Sequence, residues 1–312
     1  MMEIEPRNLG VKKYLQILIG VDFSSASREA VRAAARFASF DGGHVTVLHV
    51  MDPLLADEMK KHLNYSDAEL LEDMRGRVRA FLDQTEIGTQ QMDVQVDVGH
   101  PFVGLVSACN RLRADLLILG ARGMKHGPAQ IGVMATKCLR KAPADVLLVR
   151  DYESGPFRHV LACVDFSTTS AAAVQAALKV AAEDHGELDC LFVYRSALAL
   201  SLDYGRYLPA SVLTPDSEGV AHWQSQLDGF LQPLMQGSNG LTWRGSVEER
   251  PNVREAIYDR VKRGGADLVV LGTRGKSDIR SLIMGSTAEQ IVNHVPCSVL
   301  AVKPPGFEYN VS

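Results

Sequence analysis

The 312-residue chain is poor in several things, and each shortage removes a class of function. Cysteine occurs only at Cys109, Cys138, Cys163, Cys190 and Cys297, an odd number set in apolar segments with no C-x-x-C pair. That argues against a zinc site or a disulfide framework and for small buried hydrophobes in a reducing compartment. No uncharged apolar stretch approaches the roughly 18 residues that cross a bilayer, so no membrane partner is expected. The segment Met1 to Lys13 mixes acids with bases and has no apolar signal core, which predicts a cytoplasmic protein. Neither charge dominates: 33 Lys and Arg face 37 Asp and Glu, a formal charge of −4. With no polybasic run to offset it, a nucleic-acid partner is disfavoured.

Familiar catalytic signatures are missing too. Gly275-Lys276-Ser277 looks like the end of a P-loop, but Val270 stands where the first glycine belongs. There is no G-x-G-x-x-G, no G-x-S-x-G elbow and no H-E-x-x-H pair, which weakens dehydrogenase, serine hydrolase and metalloprotease readings. A lone histidine such as His49 on an apolar strand reads as a satisfied core residue rather than a ligand.

What the chain does have is a repeat. Ile17-Leu18-Ile19-Gly20-Val21-Asp22-Phe23-Ser24 recurs 143 residues later as Val160-Leu161-Ala162-Cys163-Val164-Asp165-Phe166-Ser167. The same offset carries Val31, Ala34, Ala35 and Ala38 to Val174, Ala177, Leu178 and Ala181, the stripe of an amphipathic helix. Gly43 and Gly186 follow as expected helix ends, and Ala114 to Gly123 returns as Ala266 to Gly275. The chain therefore reads as a tandem duplication, with domains 1–152 and 153–312 and a boundary near Asp151 to Pro156.

Each copy alternates β-rich runs with helical patterns, the mark of a parallel sheet wrapped by helices. Strands are predicted near 15–21, 44–50, 92–98, 114–119 and 145–150, and again near 159–165, 188–194, 241–248, 267–271 and 297–303. Runs such as Leu116 to Leu119 are apolar at every position, as in strands buried on both faces. A doubly wound sheet binds ligands where its winding reverses, outside the carboxyl ends of the strands. If strands one and four flank that switch, Val164-Asp165-Phe166-Ser167 and Leu271-Gly272-Thr273-Arg274-Gly275 line one crevice. The closing strands, Asp145 to Arg150 and Ser298 to Lys303, are apolar at their centres and are expected to pair and hide each other's edges.

In the second copy the loop runs Gly272-x2-Gly275-x9-Gly285-Ser286-Thr287 into a helical stripe. Glycines permit close backbone approach, and hydroxyls at a helix start sit where free N–H groups and the dipole favour an anion. The pattern suits a phosphate cradle, and equally a strand-to-helix turn. Asp165, just before a helix, fits a ligand contact or an N-cap.

The Val-Asp-Phe-Ser strand end, this glycine spacing and the closing strand after Val295-Pro296 together resemble the universal stress protein family in its two-domain tandem form. The resemblance covers nearly the whole chain. It implies an α/β fold of two tandem doubly wound five-stranded sheets of order 3-2-1-4-5, adenine-nucleotide alpha-hydrolase-like, paired through their fifth strands. It also implies adenine and ribose near Val164, Asp165, the backbone of Val193 and Leu271. Phosphates of ATP, with Mg2+, would fall on Gly272, Gly275, Gly285, Ser286 and Thr287. Copy one departs from the pattern: Gly120 and Gly123 are kept, but eight residues rather than nine lead to Gly132, and Val133 and Met134 replace the hydroxyl pair. Phosphate binding is therefore expected in the second copy alone.

The segment from Arg195 to Trp223 is an apolar insertion where the equivalent region of the first copy, Met51 to Tyr65, leads into a charged helix, and it reads as a packed loop or as a nucleotide lid or partner patch. Together with a cytoplasmic location, the resemblance thus implies a stress-response protein that binds an adenine nucleotide and signals through protein partners or assembly, with a homodimer open. The alternatives are a nucleotide-free interaction scaffold and a slow ATPase, for which Lys276, Asp278 and Arg280 are the available loop charges.

Overall fold

The computed structural model describes residues 12–85, 87, 92–122, 131–150, 155–195, 217–238, 240–275 and 284–309. Its strands are β1 (Gln16–Gly20), β2 (His44–Met51), β3 (Met92–Val98), β4 (Leu116–Gly120), β5 (Asp145–Val149), β6 (His159–Val164), β7 (Glu187–Tyr194), β8 (Trp243–Glu249), β9 (Leu268–Gly272) and β10 (Ser298–Val302). The helices between them are α1 (Ser25–Asp41), α2 (Pro53–Leu63), α3 (Asp67–Asp83), α4 (Pro101–Leu112), α5 (Val133–Lys141) and α6 (Thr168–Glu183). Three more follow, α7 (Ser217–Leu234), α8 (Val253–Gly264) and α9 (Ser286–His294).

The chain forms two compact units, one built on Lys13–Gly155 together with the residues from Ser298 onward, the other on Pro156–Cys297. In the first unit the parallel strands run β3-β2-β1-β4-β5, and β10 adds antiparallel beside β5 with Val299 opposite Leu148 and Ala301 opposite Val146. The two closing strands do pair, and every residue of both is buried. In the second unit the order is β8-β7-β6-β9, again parallel. The second copy's closing strand thus belongs to the first copy's compact unit.

Burial of Leu116, Leu117, Ile118 and Leu119 in succession shows that both faces of the sheet are covered. Small residues let the covering helices lie close: α1 buries Ala26, Ala30, Ala33 and Ala34, and α6 buries Ala171, Ala173, Ala176 and Ala177. The repeated acids are structural. Asp115 accepts from the N–H groups of Leu15 and Gln16, Asp267 from those of Arg158 and His159, so each copy's fourth strand holds the entry to its first. Desolvation raises the Asp267 pKa, against the backbone donors that lower it.

Two local readings change. The glycine that closes α1 is Gly42, in the left-handed conformation with φ 67°, and His185 holds the left-handed turn after α6 with φ 52°. Gly43 and Gly186 are needed one step later, where a Cβ would collide with the Tyr14 or Phe157 carbonyl oxygen. None of the described helices is long and apolar enough to cross a membrane.

Candidate functional site

In both copies strands one and four are neighbours, β1 with β4 and β6 with β9, so the winding switch lies between them. At the end of β6 the chain makes a tight turn around Asp165. Its Oδ1 accepts from the N–H and the hydroxyl of Ser167. Ser167, not Asp165, caps α6, accepting from the Ser170 N–H at 3.0 Å. Copy one builds the same turn: Asp22 Oδ1 accepts from the Ser24 N–H and the Ser27 hydroxyl, and Ser24 caps α1. The N-cap reading of the aspartate is thereby replaced, and in each copy the second carboxylate oxygen makes no hydrogen bond among the described residues.

The residue after each aspartate is strained. Phe23 and Phe166 have φ of 64° and 60°, a left-handed conformation that costs a bulky residue of order 1–3 kcal/mol. Packing offsets it: Phe166 meets Phe192, Trp223 and Phe230 with centroids 4.5, 6.0 and 5.4 Å away, and Phe23 meets His49 and Phe81. The strained turn aims the aspartate at the crevice while its neighbour anchors the turn on the aromatic cluster.

The glycines of the second-copy loop differ in what requires them. A Cβ on Gly272 would lie 2.9 Å from Thr169 Cγ2 and 3.2 Å from the Thr169 carbonyl carbon, so glycine there serves the packing of β9 against α6. A Cβ on Gly275 would lie 2.5 Å from Asp165 Oδ2, which places the loop backbone directly beside the unbonded carboxylate oxygen. Gly285 is different. Its φ of −66° suits any residue, and among the described residues a Cβ there would meet nothing nearer than the Thr273 carbonyl oxygen at 3.9 Å. The Gly285 N–H donates to that same carbonyl at 2.9 Å and fixes the start of α9 beside the loop, as Gly132 N–H to Ala121 O fixes α5.

Val164, Asp165, Val193, Leu271, Gly272, Gly275 and Gly285 come together on the wall of one cavity of about 390 Å³, a size typical of small-ligand sites. Ile257 from α8 and Ala288 and Ile291 from α9 complete its apolar side, and Arg274 brings a positive charge to it. Of these, Arg274 belongs to the strand-four loop expected at the crevice, while Ile257, Ala288 and Ile291 carry no such expectation, although the apolar stripes of α8 and α9 hold the signal for them. Ser286 and Thr287 form the first turn of α9; their side chains lie outside the described residues, as do Lys276, Asp278, Arg280 and most of the Arg195 to Trp223 insertion. Cys163 also touches the cavity, but burial pushes its thiol up to about 12, with Asp165 and Asp189 adding to the shift, so it is no thiolate nucleophile at neutral pH.

Copy one has a matching cavity of about 320 Å³, lined by Val21, Asp22, Leu48, Val50, Leu119 and Gly120 at positions equivalent to those of copy two, with Arg122 for Arg274. It differs elsewhere, as where Gly20 stands for Cys163, and two differences bear on a ligand. His49 replaces Phe192, its Nδ1 2.8 Å from the Val21 carbonyl oxygen, and desolvation holds its pKa below 6.5. At the helix start Val133 is 64% exposed, while Met134 lines the cavity with its sulfur 3.6 Å from Cys138 Sγ.

Comparison with known proteins agrees with this architecture. The family model described as the universal stress protein family matches twice, over residues 13–150 and 156–303. A universal stress protein of Mycolicibacterium smegmatis is 24% identical over 92% of this chain and 97% of its own. Universal stress protein E of Photorhabdus laumondii is 21% identical over 95% and 96%. Among solved structures, a universal stress protein from Archaeoglobus fulgidus superposes with a TM-score of 0.64 at 19% identity, covering 94% of this chain and 99% of that one. With a repeated fold, a repeated switch-point crevice and a family match across both copies, the chain belongs to the universal stress protein family.

Proposed function

We propose that the crevice of the second copy, in domain 153–312, binds ATP or a related adenine nucleotide, and that occupancy is passed to protein partners or to assembly of further copies in the cytoplasm. The observation that carries the reading is the contrast among the loop glycines. Among the described residues nothing requires glycine at 285, where a Cβ would meet only the Thr273 carbonyl oxygen at 3.9 Å, and that position stands at the start of α9, whose first N–H groups have no partner within the helix. Phosphates seated there would receive backbone donors and the hydroxyls of Ser286 and Thr287, with the Arg274 charge at the wall. Val164, Val193 and Leu271 supply the apolar slot for a planar base, and Asp165 Oδ2 supplies an acceptor for sugar hydroxyls. Mg2+ would enter with the phosphates, and its role is to neutralise them.

The purified chain should release an adenine nucleotide when heated, or take one up when it is offered. A chain that does neither is the interaction scaffold instead. Steady-state phosphate release that is lost on Ser286→Ala would make it the slow ATPase.

A further inference from the structure

We propose that the first copy's crevice is a second small-molecule site, and that it takes a nucleoside without phosphates. The choice of ligand rests on the reading of the second crevice as a nucleotide site. Around the strand ends six wall positions match, Val21 with Val164, Asp22 with Asp165, Leu48 with Leu191, Val50 with Val193, Leu119 with Leu271 and Gly120 with Gly272, while Gly20 stands for Cys163 and His49 for Phe192. The part that would hold a base and sugar is therefore present twice. Asp22 keeps the same turn, with Oδ1 bound to Ser24 and Ser27 and Oδ2 without a hydrogen bond among the described residues.

The two sites part company at the helix start. Met134 lies on the cavity wall, its thioether against Cys138, where the second copy has Thr287. A thioether donates no hydrogen bond, and an apolar side chain at that place excludes the water that would otherwise solvate a phosphate. The exposed Val133 adds no donor. Base and sugar binding is kept while phosphate binding is opposed, so the site discriminates by charge: the second copy reads the nucleotide, and the first reads the nucleoside.

Equilibrium dialysis of the full chain with labelled adenosine, in the presence of saturating ATP and magnesium, tests this. The native chain should take up one adenosine beyond its ATP. Asp22→Asn, which can still accept from Ser24 and Ser27 but presents an NH2 in place of Oδ2, should weaken adenosine about tenfold or more and leave the ATP count unchanged. Val133→Ser combined with Met134→Thr should raise bound ATP from one to two and make ATP displace adenosine, a readout independent of whether Asp22→Asn folds. No adenosine uptake by the ATP-saturated native chain would overturn the proposal. So would uptake that survives Asp22→Asn and is lost in Asp165→Asn. A failure of the second-crevice reading looks different: ATP would not bind, while adenosine uptake would remain sensitive to Asp22→Asn.

Discussion

The two crevices of this chain are built from the same turn, the same strand ends and nearly the same volume, about 320 and 390 Å³, yet they open onto helix starts of opposite character. Setting them side by side separates what the fold demands from what a ligand demands. Gly120 and Gly272 both press against the first turn of the helix after strand one, on Ala26 and Ser27 in one copy and Thr169 in the other. They would be glycine in a copy that binds nothing. Gly285 meets no such neighbour among the described residues, and the residues beside it are the ones that change, Ser286 and Thr287 against Val133 and Met134.

The largest effect that could break this comparison is on stability. In Gly120→Val a Cβ would lie 2.7 Å from Ala26 Cβ and 2.8 Å from the Ala26 carbonyl carbon. Overpacking against backbone costs about 1–3 kcal/mol or more, so thermal melting should show a clear drop in Tm with or without ATP. A variant that melts like the native chain would remove the packing explanation. Gly285→Val should do the reverse, keeping Tm and weakening ATP more than a hundredfold, because the valine fills the space ahead of α9. A melting loss equal to that of Gly120→Val would erase the distinction between the two glycines.

A pH dependence sharpens the comparison next. Burial lowers the His49 pKa from 6.5, against the Val21 hydrogen bond and the Asp22 charge, which raise it. The folded chain therefore takes up that proton less readily than the unfolded one. Stability contributed by neutral His49 is present above about pH 6.5 and is lost as the pH falls through the lowered value. His49→Phe gives copy one the residue found in copy two. Chemical denaturation from pH 7 to 5 should show native stability falling relative to this variant; a constant difference would mean that His49 is not buried as a neutral ring. Least of all, Val133→Ala should leave ATP binding and Tm unchanged, since its side chain is mostly exposed and it opens a helix with no assigned phosphate.

Much of the architecture was legible because its signals are local. Strands apolar at every position, such as Leu116 to Leu119, announce a doubly covered sheet, and the repeated offset fixes which elements correspond. Val164, Asp165, Leu271, Gly272 and Gly275 meet at one crevice because the strand order sets the ends of the first and fourth strands side by side, an order that the family resemblance implies and that spacing alone leaves conditional. What escaped depends on contacts between distant residues. The left-handed Phe23 and Phe166 carry no local mark; their strain is tolerated only because His49 and Phe81, or Phe192, Trp223 and Phe230, wait in the folded core. Asp165 looked like a cap because it precedes a helix, and only the geometry shows Ser167 taking that role. The helix-closing glycine was read one residue late, since Gly42 and Gly43 are adjacent and only the close carbonyl of Tyr14 tells their duties apart. Ile257, which reaches the cavity wall from α8, carries no mark of that place in its own segment.

The central claim is that one copy keeps a phosphate site and the other has lost it. Calorimetric titration of the chain with ATP and magnesium measures that directly. The account predicts one ATP per chain, with Ser286→Ala weakening it roughly ten- to a hundredfold, the loss of one hydrogen bond to a charged group at about 1.5–3 kcal/mol. Two ATP per chain, or an affinity untouched by Ser286→Ala, would contradict it.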